Sequence, residues 1–97
     1  MLALIVTFKI KEGKMEEALN TARELTQEGR NLDPGLLDVF AYTVEGRKHK
    51  NEIIFVENYV DSDAINRVGV KIRDLVSFRK LRQLFEAVYS LRCSSIE

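Results

Sequence analysis

The sequence has few of the residues that build metal centres and cross-links. Its 97 residues include one cysteine, one histidine and no tryptophan. A lone cysteine excludes an internal disulfide and a multi-cysteine zinc site, and a lone histidine excludes a histidine-rich metal site within one subunit. The chain also has no glycine-rich phosphate loop and no nucleophile elbow. We therefore expect neither a metal ion nor a cofactor.

A charge of one sign and a long apolar run are also missing. Fifteen basic and fifteen acidic side chains cancel, so nothing draws the whole chain to nucleic acid or to an anionic membrane. The N-terminal run MLALIVTFKIKEG has no basic start and is too short to span a bilayer, unlike a signal peptide or a membrane helix. We expect a cytoplasmic protein with no nucleic-acid partner and no membrane partner.

What is present is the composition of a small folded domain. With 45% hydrophobic residues and one proline, the chain is typical of ordered proteins, and we expect residues 1–97 to form one domain. Leu2 to Ile10 predicts a strand, because it is rich in branched and aromatic residues. Met15 to Leu25 carries apolar residues at helical spacing. Asp33-Pro34-Gly35 predicts a turn after this helix.

Two further strands and a helix follow this turn. Leu36 to Val44 and Glu52 to Val60 are predicted strands, joined by a polar hairpin loop. Asp61 or Ser62 predicts a helix cap. Gly69 is expected to interrupt the helix that begins there.

A further helix is predicted from Asp74, because apolar residues recur there every three or four positions. These residues are Leu75, Phe78, Leu81, Phe85 and Val88. The tail from Tyr89 to Ile96 then supplies a last strand. The order β-α-β-β-α-β predicts the α+β class and a ferredoxin-like fold, in which the helices cover one face of a four-stranded antiparallel sheet.

The predicted strands are apolar on both sides. In the first strand, Leu4 and Val6 alternate with Ala3 and Ile5, which are also apolar. An antiparallel sheet with one solvent-exposed face should instead alternate apolar and polar residues along each strand. The helices can hide only one face, so we expect a second copy of the chain to cover the other, in a homodimer or a larger oligomer. A different partner protein, or a wet face with scattered apolar residues, are the alternatives.

The stretches DPGLLDVFAYTV and EIIFVENYVDSDAI resemble the antibiotic biosynthesis monooxygenase (ABM) family. The residues that carry the resemblance are Asp33, Pro34, Gly35, Tyr42, Phe55, Glu57, Tyr59, Asp63 and Ala64. The resemblance implies a dimeric α+β barrel, with sheet facing sheet. It implies no single reaction, because the family mixes oxygenases, isomerases, haem-degrading enzymes and proteins with no assigned role.

The sequence departs from the family pattern after Ala64. Many members carry two histidines in the segment that follows, whereas this chain has Val68 and Arg73 at those positions. The only histidine, His49, lies in the charged hairpin loop, where we expect it to be solvated. Haem degradation is not expected, because that branch of the family relies on a histidine ligand and a tryptophan.

One function consistent with these patterns is an enzyme that binds an apolar, oxygenated small molecule between the sheet and the helices. The resemblance implies oxidation of a phenol or quinol without a cofactor, with the substrate supplying the electrons to oxygen. The substrate-binding candidates are Tyr42, Asn58, Tyr59 and Arg73, and no catalytic residue is identified. Glu57 and Asn58 are expected to point to opposite faces of their strand.

The alternative function is a non-catalytic dimeric module that binds a ligand or is associated with stress. The missing histidines favour it. Arg67, Lys71 and Arg73 form a local basic cluster, which predicts a solvated helix surface or a site for an anionic substrate.

Overall fold

The computed structural model describes residues 1–96, in which four strands form one antiparallel sheet with helices on one face. The strands are β1 (Leu2–Ile10), β2 (Leu36–Thr43), β3 (Glu52–Tyr59) and β4 (Phe85–Ser94). The helices are α1 (Met15–Gly29), α2 (Ser62–Lys71) and α3 (Val76–Arg82). The strand order across the sheet is β2-β3-β1-β4. The predicted ferredoxin-like α+β fold is therefore confirmed.

The hydrophobic core lies between the helices and the sheet face that they cover, here called the inner face. Ile10, Ile53 and Leu81 are almost completely buried there. Phe8 and Phe55 pack edge to face, with 5.6 Å between their ring centroids, a favoured geometry for aromatic pairs. On the opposite side of the sheet, here called the outer face, no helix of residues 1–96 packs.

The helix after β3 is not interrupted at Gly69, contrary to the prediction. α2 continues through this residue to Lys71, and the chain turns in a short 3-10 segment at Ile72–Asp74. A glycine inside a helix costs only about 1 kcal/mol relative to alanine. Burial of the apolar side of α2, which includes Ile65 and Val68, outweighs this cost.

The prediction that Phe85 and Val88 extend the last helix is also wrong. α3 ends at Arg82, and both residues lie in β4. In the pairing with β1, Ile10 faces Phe85 and Lys9 faces Ala87, so the register shifts by one residue between them. This irregularity brings Phe85 and Val88 to the same face although they are three positions apart. A bulged strand therefore produced a spacing that is typical of a helix.

The Asp33 carboxylate fixes the end of α2 against the turn that precedes β2. Asp33 accepts two hydrogen bonds from the Arg67 guanidinium, at 2.9 and 3.0 Å, and one from Lys71 Nζ at 2.9 Å. The Gly35 amide donates a fourth at 2.8 Å. These contacts hold the pKa of Asp33 well below its usual range, with the Arg67 hydrogen bonds as the largest cause. The basic cluster is therefore used in part for structure, since two of its members bind Asp33.

The same turn packs closely on α2 at Gly35. A Cβ atom at this position would lie 2.5 Å from the Ala64 Cβ atom. We expect Gly35→Ala to reduce the free energy of unfolding by about 1–3 kcal/mol, as overpacking of a tight site usually does. Urea titration followed by circular dichroism measures this change.

Gly69→Ala is the matched control, because nothing lies within 4 Å of a Cβ atom added there. This variant should be about 0.5–1 kcal/mol more stable than the wild type, since alanine is the better helix former. Equal stabilities for the two variants would contradict the close contact between the turn and α2.

Candidate functional site

A cavity of about 310 Å³ lies between the inner face of the sheet and the helices. Its size is near the lower end of small-ligand sites, which span about 300–1,000 Å³. Its wall is mostly apolar and includes Leu4, Val6, Phe55, Ile65, Val68 and Phe78. Three side chains with polar ends also line it, Glu57, Tyr59 and Ser90. Such a wall favours an apolar ligand with one or two polar groups.

Glu57 and Tyr59 form a hydrogen-bonded pair in this wall. They are two residues apart in β3, so the pleat of the strand points both side chains inward. The Tyr59 hydroxyl donates to Glu57 Oε1 at 2.5 Å. Tyr59 is only 1% exposed, and Glu57 is partly buried. The cavity therefore contains a carboxylate that has few other polar neighbours.

The two groups shift each other's protonation. Burial raises the pKa of Glu57, and the hydrogen bond from Tyr59 lowers it in part. Burial and the nearby Glu57 carboxylate raise the pKa of Tyr59 far above its usual value. Tyr59 therefore stays protonated and remains a donor. A carboxylate with a raised pKa is a stronger base than a solvated one, so Glu57 is able to accept a proton from an acidic hydroxyl group in the cavity.

Of the four predicted binding residues, Tyr59 is the one that lines this cavity. Asn58 points to the outer face, where its amide nitrogen donates to Asp38 Oδ1 at 2.6 Å. Glu57 and Asn58 thus lie on opposite faces of β3, as predicted.

Tyr42 and Arg73 also lie away from the cavity. Tyr42 is 55% exposed on the edge strand β2 and borders a separate groove of about 540 Å³ between β2 and α1. Arg73 is exposed in the 3-10 turn after α2, and its carbonyl accepts a hydrogen bond from Arg79 Nε at 3.2 Å. The structure therefore does not group these residues with Tyr59, and ligand binding by Tyr42, Asn58 and Arg73 stays a prediction.

Sequence reasoning placed Glu57 outside the set of binding residues. The signal that points to it is its spacing from Tyr59, because residues two apart in a strand share a face. A polar pair on the face of a strand that otherwise carries Ile53 and Phe55 stands out from the core pattern. The cavity confirms that this face is covered by helices, which the sequence alone did not specify for β3.

The cavity offers no imidazole. Val68, which occupies one of the two family histidine positions, is buried in its wall. His49 is exposed in the loop between β2 and β3, where its Nδ1 atom lies 3.0 Å from Glu52 Oε2. Of the two ionisable side chains in the cavity wall, Glu57 is therefore the one able to accept a proton, because Tyr59 stays protonated.

Residues 1–96 contain neither a candidate metal site nor a candidate membrane-spanning helix. Three or more His, Cys, Asp or Glu side chains are nowhere grouped so that they could hold a metal ion. No helix in that part of the chain is long and apolar enough to cross a membrane.

The fold and the stretch EIIFVENYVDSDAI, which runs from β3 into α2, agree with a known sequence family. The sequence profile of the antibiotic biosynthesis monooxygenase family matches residues 1–67, and the chain belongs to this family. No curated protein matches the chain significantly.

Solved structures of several proteins resemble this chain in fold. One is an antibiotic biosynthesis monooxygenase with 19% identity and a TM-score of 0.76, covering 100% of both chains. A second is SnoaB, a cofactor-independent oxygenase from Streptomyces nogalater, whose structure is that of a mutant form. It has 16% identity and a TM-score of 0.77, covering 99% of this chain and 93% of SnoaB. A third is PA3566 from Pseudomonas aeruginosa, with 19% identity and a TM-score of 0.75, covering 99% of this chain and 94% of that protein. At these identities the likeness establishes the fold alone.

The raised pKa of Glu57 predicts a pH-dependent cost to stability. Between the usual glutamate value of 4.5 and the higher folded value, the folded state binds more protons than the unfolded state, so stability falls as the pH rises. Glu57→Gln removes this titration and keeps an acceptor for Tyr59. We expect the variant and the wild type to be similar in stability near pH 4, and the variant to be more stable at pH 8.

Chemical denaturation at a series of pH values measures this difference. Glu45→Gln is the control, because it makes the same chemical change in the exposed loop after β2. A difference between Glu57→Gln and the wild type that stays constant from pH 4 to pH 8 would contradict the raised pKa.

Proposed function

We propose that this protein binds a phenolic small molecule in the cavity and oxidises it with O2, without a cofactor. The observation that carries the proposal is the partly buried Glu57 carboxylate in an otherwise apolar wall, held by the Tyr59 hydroxyl. Membership of the monooxygenase family and the fold shared with a cofactor-independent oxygenase support it. The protein's task is then to bind the phenol, exclude water and remove a proton.

The proposed reaction converts a phenol with a free para position into a quinone. Glu57 accepts the phenol proton, and the electron-rich phenolate reduces O2 while a C–O bond forms at the para carbon. The resulting peroxide takes the proton back from Glu57. Loss of the para C–H proton with cleavage of the O–O bond then gives the quinone and water. One oxygen atom enters the product, and the substrate supplies all the electrons.

Tyr59 has a positioning role in this proposal. Its hydroxyl is the donor that orients the Glu57 carboxylate, and it stays protonated because burial and Glu57 raise its pKa. Tyr59 remains the member of the predicted binding set that we assign to the substrate cavity.

The alternative is a non-catalytic module that holds the same kind of ligand. Val68 favours it, because a buried aliphatic side chain occupies a position where many family members have a histidine. The two functions differ in one measurable property, which is oxygen uptake when a bound phenol is present.

We expect the wild type to bind 1-naphthol and to convert it to 1,4-naphthoquinone with uptake of one O2. Glu57→Gln should keep the binding and reduce turnover by about 10²–10⁴-fold, the usual contribution of a general base. Tyr59→Phe should shift the acidic limb of the pH–rate profile to higher pH, because it removes the hydrogen bond that lowers the Glu57 pKa.

Anaerobic calorimetry measures binding, and an oxygen electrode with quinone absorbance measures turnover. Glu45→Gln should match the wild type in both. Binding of 1-naphthol without oxygen uptake would favour the non-catalytic module. Full activity in Glu57→Gln would reject Glu57 as the base.

A homodimer through the outer face is part of the same proposal, with residues 1–97 acting as one domain in the cytoplasm. Exposed aromatic and aliphatic side chains spread over this face from β2 to β4. They include Phe40, Tyr42, Tyr89 and Leu91, which are 46–66% exposed. A second copy covers such a patch more simply than an unrelated partner. Tyr42 and Asn58 then face the partner subunit, and a free thiol at Cys93 is consistent with a reducing compartment.

We expect the wild type to run at twice the chain mass, and Leu91→Glu to run as a monomer. The charge is introduced at an exposed position of the outer face, where it opposes burial against a partner but not folding of the chain. Val70→Glu is the control, because Val70 is equally exposed, at 66%, but lies on α2. Native mass spectrometry reads the subunit number, and a dimer in Leu91→Glu would exclude the outer face as the interface.

A further inference from the structure

The strand registers of residues 1–96 place two charged residues on the inner face of the sheet. They are Glu57 on β3 and Arg92 on β4. Both pair with Leu4 of the strand between them. They therefore lie in one row across the sheet, and two strand spacings put about 10 Å between their Cα atoms. A base and a cation thus face the same side of the sheet at a fixed separation.

Arg92 lies at the open side of the cavity. Val88 and Ser90 line the cavity wall, and Arg92 is the next residue of β4 that points to the same face. Exposure rises across the cavity wall from 2% at Phe55 to 47% at Val88 on the edge strand. The cavity therefore opens toward β4, where the Arg92 side chain is exposed.

The Arg92 guanidinium is available to a ligand. None of the ion pairs formed within residues 1–96 includes it. A guanidinium offers a planar set of donors that matches both oxygens of a carboxylate. The Glu57 carboxylate repels a negative group. An anionic ligand is therefore oriented with its charge toward the open side of the cavity, here called the mouth.

We propose that Arg92 is a specificity-determining residue that binds an anionic group on the substrate. The substrate is then an aryl carboxylate with a phenol at its far end. The phenol lies at Glu57, and the carboxylate stays at the mouth beside Arg92. This inference rests on the proposed function of the cavity and adds the chemical class of the substrate.

The test uses two matched ligands under anaerobic conditions, so that binding is measured without turnover. One is 4′-hydroxybiphenyl-4-carboxylate, whose phenol oxygen and carboxylate are separated by a span similar to the row from Glu57 to Arg92. The other is 4-hydroxybiphenyl, which lacks the carboxylate. We expect the wild type to bind the carboxylate ligand about fivefold more tightly, the gain that a single exposed ion pair can supply.

Three variants identify the origin of this preference. Arg92→Ala should remove it and leave the affinity for 4-hydroxybiphenyl unchanged, while Arg92→Lys should keep part of it. Arg47→Ala is the control for net charge, because Arg47 lies exposed in the hairpin loop, and it should keep the full preference. Raising the salt concentration should weaken the preference in the wild type.

The outcomes separate this inference from the proposed function. If both ligands bind the wild type equally, or Arg92→Ala keeps the preference, the Arg92 subsite is overturned while the phenol site remains. If neither ligand binds, both proposals fail. A preference that is lost in Arg92→Ala and retained in Arg47→Ala supports the subsite.

Discussion

The position of α2 depends on one buried carboxylate. The side chain of Asp33 is 2% exposed, and it joins the turn before β2 to two successive turns of α2 through Arg67 and Lys71. Arg67 binds both carboxylate oxygens, an arrangement that fixes direction as well as distance. Because α2 forms part of the cavity wall through Ile65 and Val68, the shape of the cavity depends on an ion pair whose members do not line it.

The pleat of β3 places neighbouring polar side chains on opposite faces of the sheet. Glu57 and Tyr59 point to the helices, and Asn58 points away from them. The inner face can hold a partly desolvated acid because the helices exclude water from it, and such an acid keeps a raised pKa only while it stays covered. No helix of residues 1–96 covers the outer face, and there Asn58 donates a hydrogen bond to Asp38. A register slip of one residue would exchange these roles.

The fold could be predicted from the sequence because apolar residues recur at the spacing typical of a strand or of a helix in most of its elements. The strand alternation, the Asp33-Pro34-Gly35 turn and the acidic helix start each gave a local signal. The prediction failed where a local signal had two meanings. Phe85 and Val88 had helical spacing, but pairing with β1 made them part of a bulged strand. Gly69 looked like a helix break, but burial of Ile65 and Val68 decided the helix.

The site was harder to predict, because its members are distant in the chain. Glu57, Val68 and Ser90 meet in one cavity only after the sheet has formed, and no sequence spacing links them. The function of Arg67 and Lys71 was equally hidden, since a basic cluster on a helix looks the same whether it faces water or a buried acid. Tyr59 is the predicted binding residue that lines the cavity, and an aromatic residue in a strand is a strong local feature.

A carboxylate can accept a proton in a cavity that has no imidazole, if burial and a hydrogen bond together set its pKa. Burial of Glu57 makes it a better base, and the hydrogen bond from Tyr59 works against this effect. The donor cannot become a competing base, because the same burial and the same carboxylate raise its own pKa. The pair therefore keeps one fixed donor and one group that can titrate. In the function that we propose, a substrate with its own hydroxyl group fits this pair, because the ionised Glu57 needs a further proton donor in the cavity once water is excluded.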